Sequence, residues 1–371
     1  MAPELNRSGA MDPRVVELQK EAAAREDVIG LAGGLPADEL LPRGELAKIL
    51  AEVTSREGAL QYGWAEGTEQ LRKWIAGRLE ARGAKVDCER VIVTAGAQQA
   101  LAIAARVLSA APAADREPTA SRDYAIAVGD ATYAAAIDAF TRSGARVIRE
   151  GGAARYVIHG VANPHGVELV DRDAVLATTG PLIVDEAYCE LRFDGRTPRP
   201  LLADAPDRVW HVGTISKTIA PGLRVGWLIP PAAAHEVALE HKAAADLQTS
   251  SVTQAAVARL VATVDYDAML ERARHAYAER AAALCEALHR AAPSLQFREP
   301  EGGFSIWIET ERTGADLALL RACLDAGVMV DPGSAFRPEP REQIAVRASY
   351  SNAPPERLAE AARRLARVLA S

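Results

Sequence analysis

Short apolar runs alternate with helix-period segments through most of this chain, and that alternation limits the folds open to it more than any other feature. Residues 124–128, 145–148 and 155–159 read as strands, 133–142 as a helix, and 181–185, 209–212 and 225–229 as buried strands. An α/β fold with a mostly parallel sheet, sandwiched by helices, follows. Ahead of it, 14–25 behind the Asp12-Pro13 N-cap pair and 67–82, with Leu71, Trp74, Ile75 and Leu79 on one face, predict helices. Residues 90–101 predict a strand, a glycine turn and a helix start. The small, polar, proline-punctuated stretch 109–122 predicts a surface loop. Beyond 231 the character changes. A helical run over 231–292 is broken at 248–251 and 264–265, and is followed by strand 304–309, helix 315–326, strands 328–330 and 344–348, and helix 354–370. This is a second, smaller α/β unit.

The stretch between strands 209–212 and 225–229 carries Thr214, Ser216, Lys217, a Pro-Gly pair and Arg224. A lysine amine attacks aldehydes only when its surroundings lower its pKa, and apolar strand ends can do that by desolvation. Hydroxyls and a guanidinium suit a phosphate dianion. An aldehyde beside a phosphate points to pyridoxal 5'-phosphate. A solvated loop lysine would read the same way, although only six lysines stand among 43 cationic residues. Asp185 emerges from Leu-Ile-Val at a strand end, where an aspartate needs a cationic partner, and a protonated pyridine nitrogen would be one. The turn Gly96-Ala97-Gln98 at a helix start offers backbone amides to a phosphate. Gly33 and Gly34 let the backbone lie close to a neighbour. Arg347 stands between apolar neighbours in a strand, which suits either a structural salt bridge or a bound anion.

With 371 residues, 49% hydrophobic and 25% charged, the chain can form a large domain plus a smaller one. A net charge of -7 supplies no basic field for nucleic acid or anionic membrane, so neither is expected as a partner. Cys88, Cys189, Cys285 and Cys323 lie far apart, without the spacing of a zinc site or disulfide framework, and no metal is expected. Neither a signal-peptide stretch nor a membrane-length apolar run occurs, so the expected location is cytoplasmic.

The order of Leu31-Ala-Gly-Gly-Leu-Pro36, Leu60-Gln-Tyr62, Thr94-Ala-Gly-Ala-Gln-Gln-Ala-Leu101, Asn163-Pro164, Asp185-Glu-Ala-Tyr188, Ser216-Lys217 with Pro221-Gly-Leu-Arg224, and Val346-Arg347-Ala-Ser-Tyr350 resembles the fold-type I pyridoxal phosphate enzymes. Within them it resembles the class I/II aminotransferases, in the aminoadipate and kynurenine aminotransferase-like branch. The resemblance implies a ping-pong exchange of an amino group between an amino acid and a 2-oxo acid. Lys217 would bind the cofactor aldehyde and move the substrate α-proton. Asp185 would hold the pyridine nitrogen protonated, Tyr188 and Asn163 would bond the ring hydroxyl oxygen, and Tyr133 would stack on the ring. The phosphate would take Gly96, Ala97, Gln98, Thr214, Ser216, Arg224 and, across a homodimer interface, Tyr62 of the neighbouring subunit. Arg347 would bind the substrate α-carboxylate, with Asn163 and Gly34 beside the substrate and Arg14 reading its distal group. The implied units are an N-terminal segment 1–44 joined to the small domain, a large cofactor-binding domain 45–260, and a small domain 261–371.

The chain departs from that pattern at Val128-Gly-Asp-Ala131-Thr, ahead of Tyr133, and at His165, where threonine is common. Its connections after 148 and after 166 are also short. Two alternatives stay open: another pyridoxal phosphate reaction on the same scaffold, such as decarboxylation or elimination, and a cofactor-binding regulatory module.

Overall fold

The computed structural model describes residues 12–110 and 124–369. Its centre is a seven-stranded sheet in the order Ile92–Thr94, Gly226–Ile229, Val209–Thr214, Leu182–Asp185, Ala154–Ile158, Ala125–Ala127 and Arg146–Ile148. All neighbours run parallel except Gly226–Ile229, which is antiparallel to both of its own. Strands covered on both faces must be apolar at every position. In Leu182–Asp185 the residues Leu182 and Val184 enter one core cluster and Ile183 the other, all fully buried. Helices Ala97–Ala110 and Ala134–Arg142 cover the second face through Leu101, Ile103 and Phe140; Leu71, Ile75 and Leu79 of helix Glu69–Ala81 pack in the first cluster.

A second, antiparallel sheet orders Asp331–Pro332, Gln343–Ser349, Ser305–Thr313 and Gln296–Phe297. Helices Tyr266–Ala291 and Pro355–Leu369 pack together nearby. The amino-terminal segment joins this part of the chain: Ile29–Gly30 pairs in parallel with Val328–Met329, and Ser349 N donates to Leu31 O at 2.7 Å.

Element boundaries shift for local reasons. The helix expected from 67 begins at Glu69 because Gly67 lies at φ +97°, outside the helical region. Helix Pro13–Ala23 starts at the expected cap, with the Asp12 side chain accepting from Arg14 N. Residues 109 and 110, expected in a loop, close helix Ala97–Ala110, which alanine and serine tolerate; the remainder of that expected loop, 111–122, lies outside the described residues. A six-residue helix, Arg172–Ala177, stands in the connection after 166, capped by Asp171. Strand Ser305–Thr313 runs past the expected end at 309, and a register shift between Glu309 and Thr313 lets it continue.

Candidate active site

Carboxyl ends of the parallel strands converge on one cavity of about 420 Å³. Asp185 ends strand Leu182–Asp185 at 3% exposure, accepting from Tyr156 Oη and from Ala187 N, each at 2.9 Å. Burial pushes its carboxyl pKa above the ordinary value, the expected state of a carboxylate with hydrogen-bond donors but without a full cationic partner. Lys217 follows strand Val209–Thr214 and donates from Nζ to Gly34 O at 2.6 Å, with the Tyr188 ring centre 5.4 Å away. Burial, reinforced by the Arg347 charge, lowers its pKa to about 8. Gly34 permits this approach, since a Cβ there would stand 3.0 Å from Tyr188 Oη and 3.7 Å from Lys217 Nζ. The Tyr133 phenol, pushed up to about 12 chiefly by burial, lines the same cavity and stays protonated at neutral pH.

Other residues on the cavity wall form an anion cradle. Helix Ala97–Ala110 presents its first turn there, with Ala97 and Gln98 on the wall. Gly96 has φ +89°, and a Cβ on it would lie 2.6 Å from Arg224 Nη2, so both conformation and space require glycine. Arg224 itself adopts the left-handed conformation, φ 52° and ψ 50°, and donates to Ala95 O at 3.0 Å. A non-glycine residue held in that region is a cost that clusters at ligand sites. Ser216 also lines the cavity, while Thr214 Oγ1 donates to Val225 O at 2.8 Å and accepts from Ser216 N at 3.1 Å.

Arg347 and Asn163 meet beside this space: Arg347 Nη1 donates to Asn163 Oδ1 at 2.9 Å, and both are buried. The structure thus brings together Gly34, Gly96, Ala97, Gln98, Tyr133, Asn163, Asp185, Tyr188, Thr214, Ser216, Lys217, Arg224 and Arg347. It does not bring Arg14, whose side chain is 72% exposed and held 2.7 Å from Asp12 by the N-cap that starts its helix. Tyr62 is 81% exposed on the outside of the chain. His165 does not line the cavity; its ring lies 5.7 Å from Trp307, and burial lowers its pKa to about 4, leaving it neutral.

Three groups escaped the sequence reading. Tyr156, on the strand next to Asp185, carries a polar tip on an aromatic body and reads as core in a strand pattern. Glu186 is buried with Arg82 at 2.7 Å and His159 at 2.9 Å, pairings between distant segments without a local signature. Asp331 bonds Arg347 from a neighbouring strand. Its run Val328-Met-Val-Asp331 has the same form as Leu182-Ile-Val-Asp185, an apolar strand ending in a carboxylate, and that form is the signal that could have found it.

The residues fit pyridoxal phosphate: a buried carboxylate without an ion-pair partner among the described residues suits a pyridinium, the anion cradle suits the phosphate, and a low-pKa amine lines the same cavity. Comparisons with known proteins agree. The family model for aminotransferase class I and II matches residues 158–365. A 2-aminoadipate transaminase from Thermus thermophilus is 30% identical, with 93% of this chain and 91% of that protein aligned. An uncharacterized HTH-type transcriptional regulator from Bacillus subtilis is 26% identical over 91% of this chain and 73% of its own length. Among solved structures, an α-aminoadipate aminotransferase from Thermus thermophilus, complexed with N-(5'-phosphopyridoxyl)-L-leucine, superimposes with a TM-score of 0.82 at 28% identity, covering 98% of each chain.

Proposed function

The chain belongs to the class I and II aminotransferases and is a pyridoxal phosphate-dependent transaminase, and we propose that Lys217, Asp185 and Arg347 carry that activity between an α-amino acid and a 2-oxo acid. One observation carries the assignment: a low-pKa lysine, a buried carboxylate and an anion cradle line a single cavity. When bound, pyridoxal phosphate supplies an aldehyde that receives the amino group and a ring that withdraws electrons from the bond being broken.

The chain's own residues divide the remaining work. Lys217, with its pKa lowered to about 8 and so an appreciable free-amine fraction near neutral pH, would take the substrate α-proton on Nζ and pass it on to the cofactor. Asp185 would keep the ring nitrogen cationic, and the Tyr156 hydrogen bond keeps Asp185 oriented. Tyr188 and Asn163 would hold the ring hydroxyl, and Tyr133 would pack against the ring, all three from the wall of the same cavity. Ala97, Gln98, Ser216 and Arg224, with Gly96 and Thr214 shaping the loop, would bind the phosphate. Arg347 holds the substrate α-carboxylate, with Gly34 beside it, so that the α-hydrogen faces Lys217.

The assembly in this reading is a homodimer. Its support is an exposed apolar run, Leu60 at 73%, Tyr62 at 81% and Trp64 at 79%, on one loop, which a second copy would cover while Tyr62 reached that copy's phosphate. The three units 1–44, 45–260 and 261–371 are likewise proposed as the domain division, supported by the pairing of Ile29–Gly30 with Val328–Met329. Among the described residues no helix is long and apolar enough to cross a membrane. A cytoplasmic enzyme is the reading that the free cysteines Cys88, Cys189, Cys285 and Cys323 support.

The lowered lysine pKa tests this assignment directly. With a pKa of about 8 instead of 10.5, roughly two orders of magnitude more Lys217 is the free amine at pH 7. Only the neutral amine attacks, so capture of pyridoxal phosphate by cofactor-free protein, followed by absorbance, should quicken as pH rises and level off above about pH 8. A rate still climbing tenfold per unit through pH 10 would mean an ordinary surface lysine is reacting.

A further inference from the structure

Arg347 already has an anion. Asp331 Oδ2 accepts from Arg347 Nε at 3.1 Å and from Nη2 at 2.7 Å, and the two side chains are only 8% and 5% exposed. Asn163 Oδ1 takes one hydrogen of Nη1 at 2.9 Å, and the Phe336 ring covers the guanidinium at 4.7 Å. A guanidinium has five N–H groups. Three are therefore committed among the described residues, and two remain, one on Nη1 and one on Nη2, available to an incoming carboxylate.

Asp331 is not free to leave. Its Oδ2 also accepts from Gly33 N at 2.9 Å, and its Oδ1 from Gln19 Nε2 at 3.3 Å, so the helix Pro13–Ala23 and the glycine loop both hold it. Arg347 and Asp331 line the same cleft of about 630 Å³, which opens from Tyr133 and Gly33 toward that helix. A substrate carboxylate reaching Arg347 from there meets a cation whose charge is already balanced.

We propose that Asp331 acts as a resident counter-anion on Arg347 that limits how tightly the enzyme holds the carboxylates of its amino and oxo acids. This rests on the reading that Arg347 receives the α-carboxylate. Two carboxylates sharing one guanidinium repel each other, and in a part-buried site that repulsion is large enough to change affinity by an order of magnitude. Asp331 also fixes the guanidinium by its Nε edge, so the incoming carboxylate has one orientation available. A moderated hold suits a site that must release one acid before it accepts the other.

The test is Asp331→Asn, which keeps the shape and an oxygen acceptor for Arg347 and Gly33 but removes the charge. Cofactor-loaded protein is titrated with 4-methylpentanoate and, separately, with the uncharged 4-methylpentanamide, read by cofactor absorbance. The expected result is acid binding tightened by about tenfold with the amide unchanged. KM for L-leucine, L-phenylalanine and L-2-aminoadipate, whichever of them react, should fall by a similar factor, while the saturating rate moves less than about threefold. Acid binding that is unchanged or weaker overturns the proposal. Asp331→Val, a branched residue suited to a strand, should tighten binding in the same direction and decides the matter if the asparagine variant does not fold. Arg347→Ala separates the two claims. If acid binding survives that change, the carboxylate lies elsewhere; if Arg347→Ala abolishes it and Asp331→Asn does not tighten it, only the counter-anion role is wrong.

Discussion

Replacing Lys217 by alanine is expected to lower turnover by more than about 10,000-fold, because one amine serves as both nucleophile and proton carrier. Its Nζ bonds Gly34 O at the edge of the cavity that Asp185 and the anion cradle also line. No other lysine is placed to substitute. Lys242 is fully buried against Asp246, Lys20 and Lys73 lie in exposed pairs with Glu17 and Glu69, and neither Lys48 nor Lys85 lines the cavity. Lys217→Arg should be as inactive, since a guanidinium does not lose its proton near neutral pH. Steady-state kinetics on variants whose circular dichroism matches the parent would measure this. Sustained turnover above about one per cent of the parent rate would assign the chemistry to another base.

Asp185→Ala should cost about 1,000-fold in turnover, the scale of losing a preorganised charge partner from a buried site. Burial holds the Asp185 carboxyl above its usual pKa, while Ala187 N and Tyr156 Oη favour the charged form. A cation at the ring nitrogen would favour the charged form of this carboxylate, and the carboxylate in turn would keep that nitrogen protonated. Two companions grade the effect. Tyr156→Phe removes one hydrogen bond and leaves the charge, so its loss should be no more than about tenfold. A cofactor analogue methylated on the ring nitrogen is permanently cationic, and it should restore part of the rate to Asp185→Ala while doing little for the parent. An analogue that fails to help the variant would show that Asp185 acts on something other than the ring nitrogen.

Much of this was legible because strand ends punctuate apolar runs. Asp185 ends a hydrophobic strand, Lys217 follows one and Arg224 precedes one, so their positions follow from period and from polar interruption. Glycines at Gly34 and Gly96 mark close backbone approach for the same local reason. Tyr156 and Glu186 were not legible, because their partners are distant in sequence and a buried pair has no local pattern. Arg347 was readable as a strand guanidinium in want of an anion, and a salt bridge and a substrate were both open. The structure supplies the salt bridge with Asp331 and leaves two donors beside it. Arg14, which the resemblance places near the substrate's distal group, pairs in the structure with the neighbouring N-cap carboxylate of Asp12.

The central claim is that this cavity moves an amino group onto its cofactor, and a single half-reaction tests it most directly. Cofactor-loaded protein would be mixed with pools of amino acids without any oxo acid, and the cofactor and released products identified by mass spectrometry. The expected result is stoichiometric pyridoxamine phosphate together with the 2-oxo acid of one consumed amino acid. Consumption of an amino acid with the cofactor still in its aldehyde form, and release of an amine or an elimination product, would contradict it.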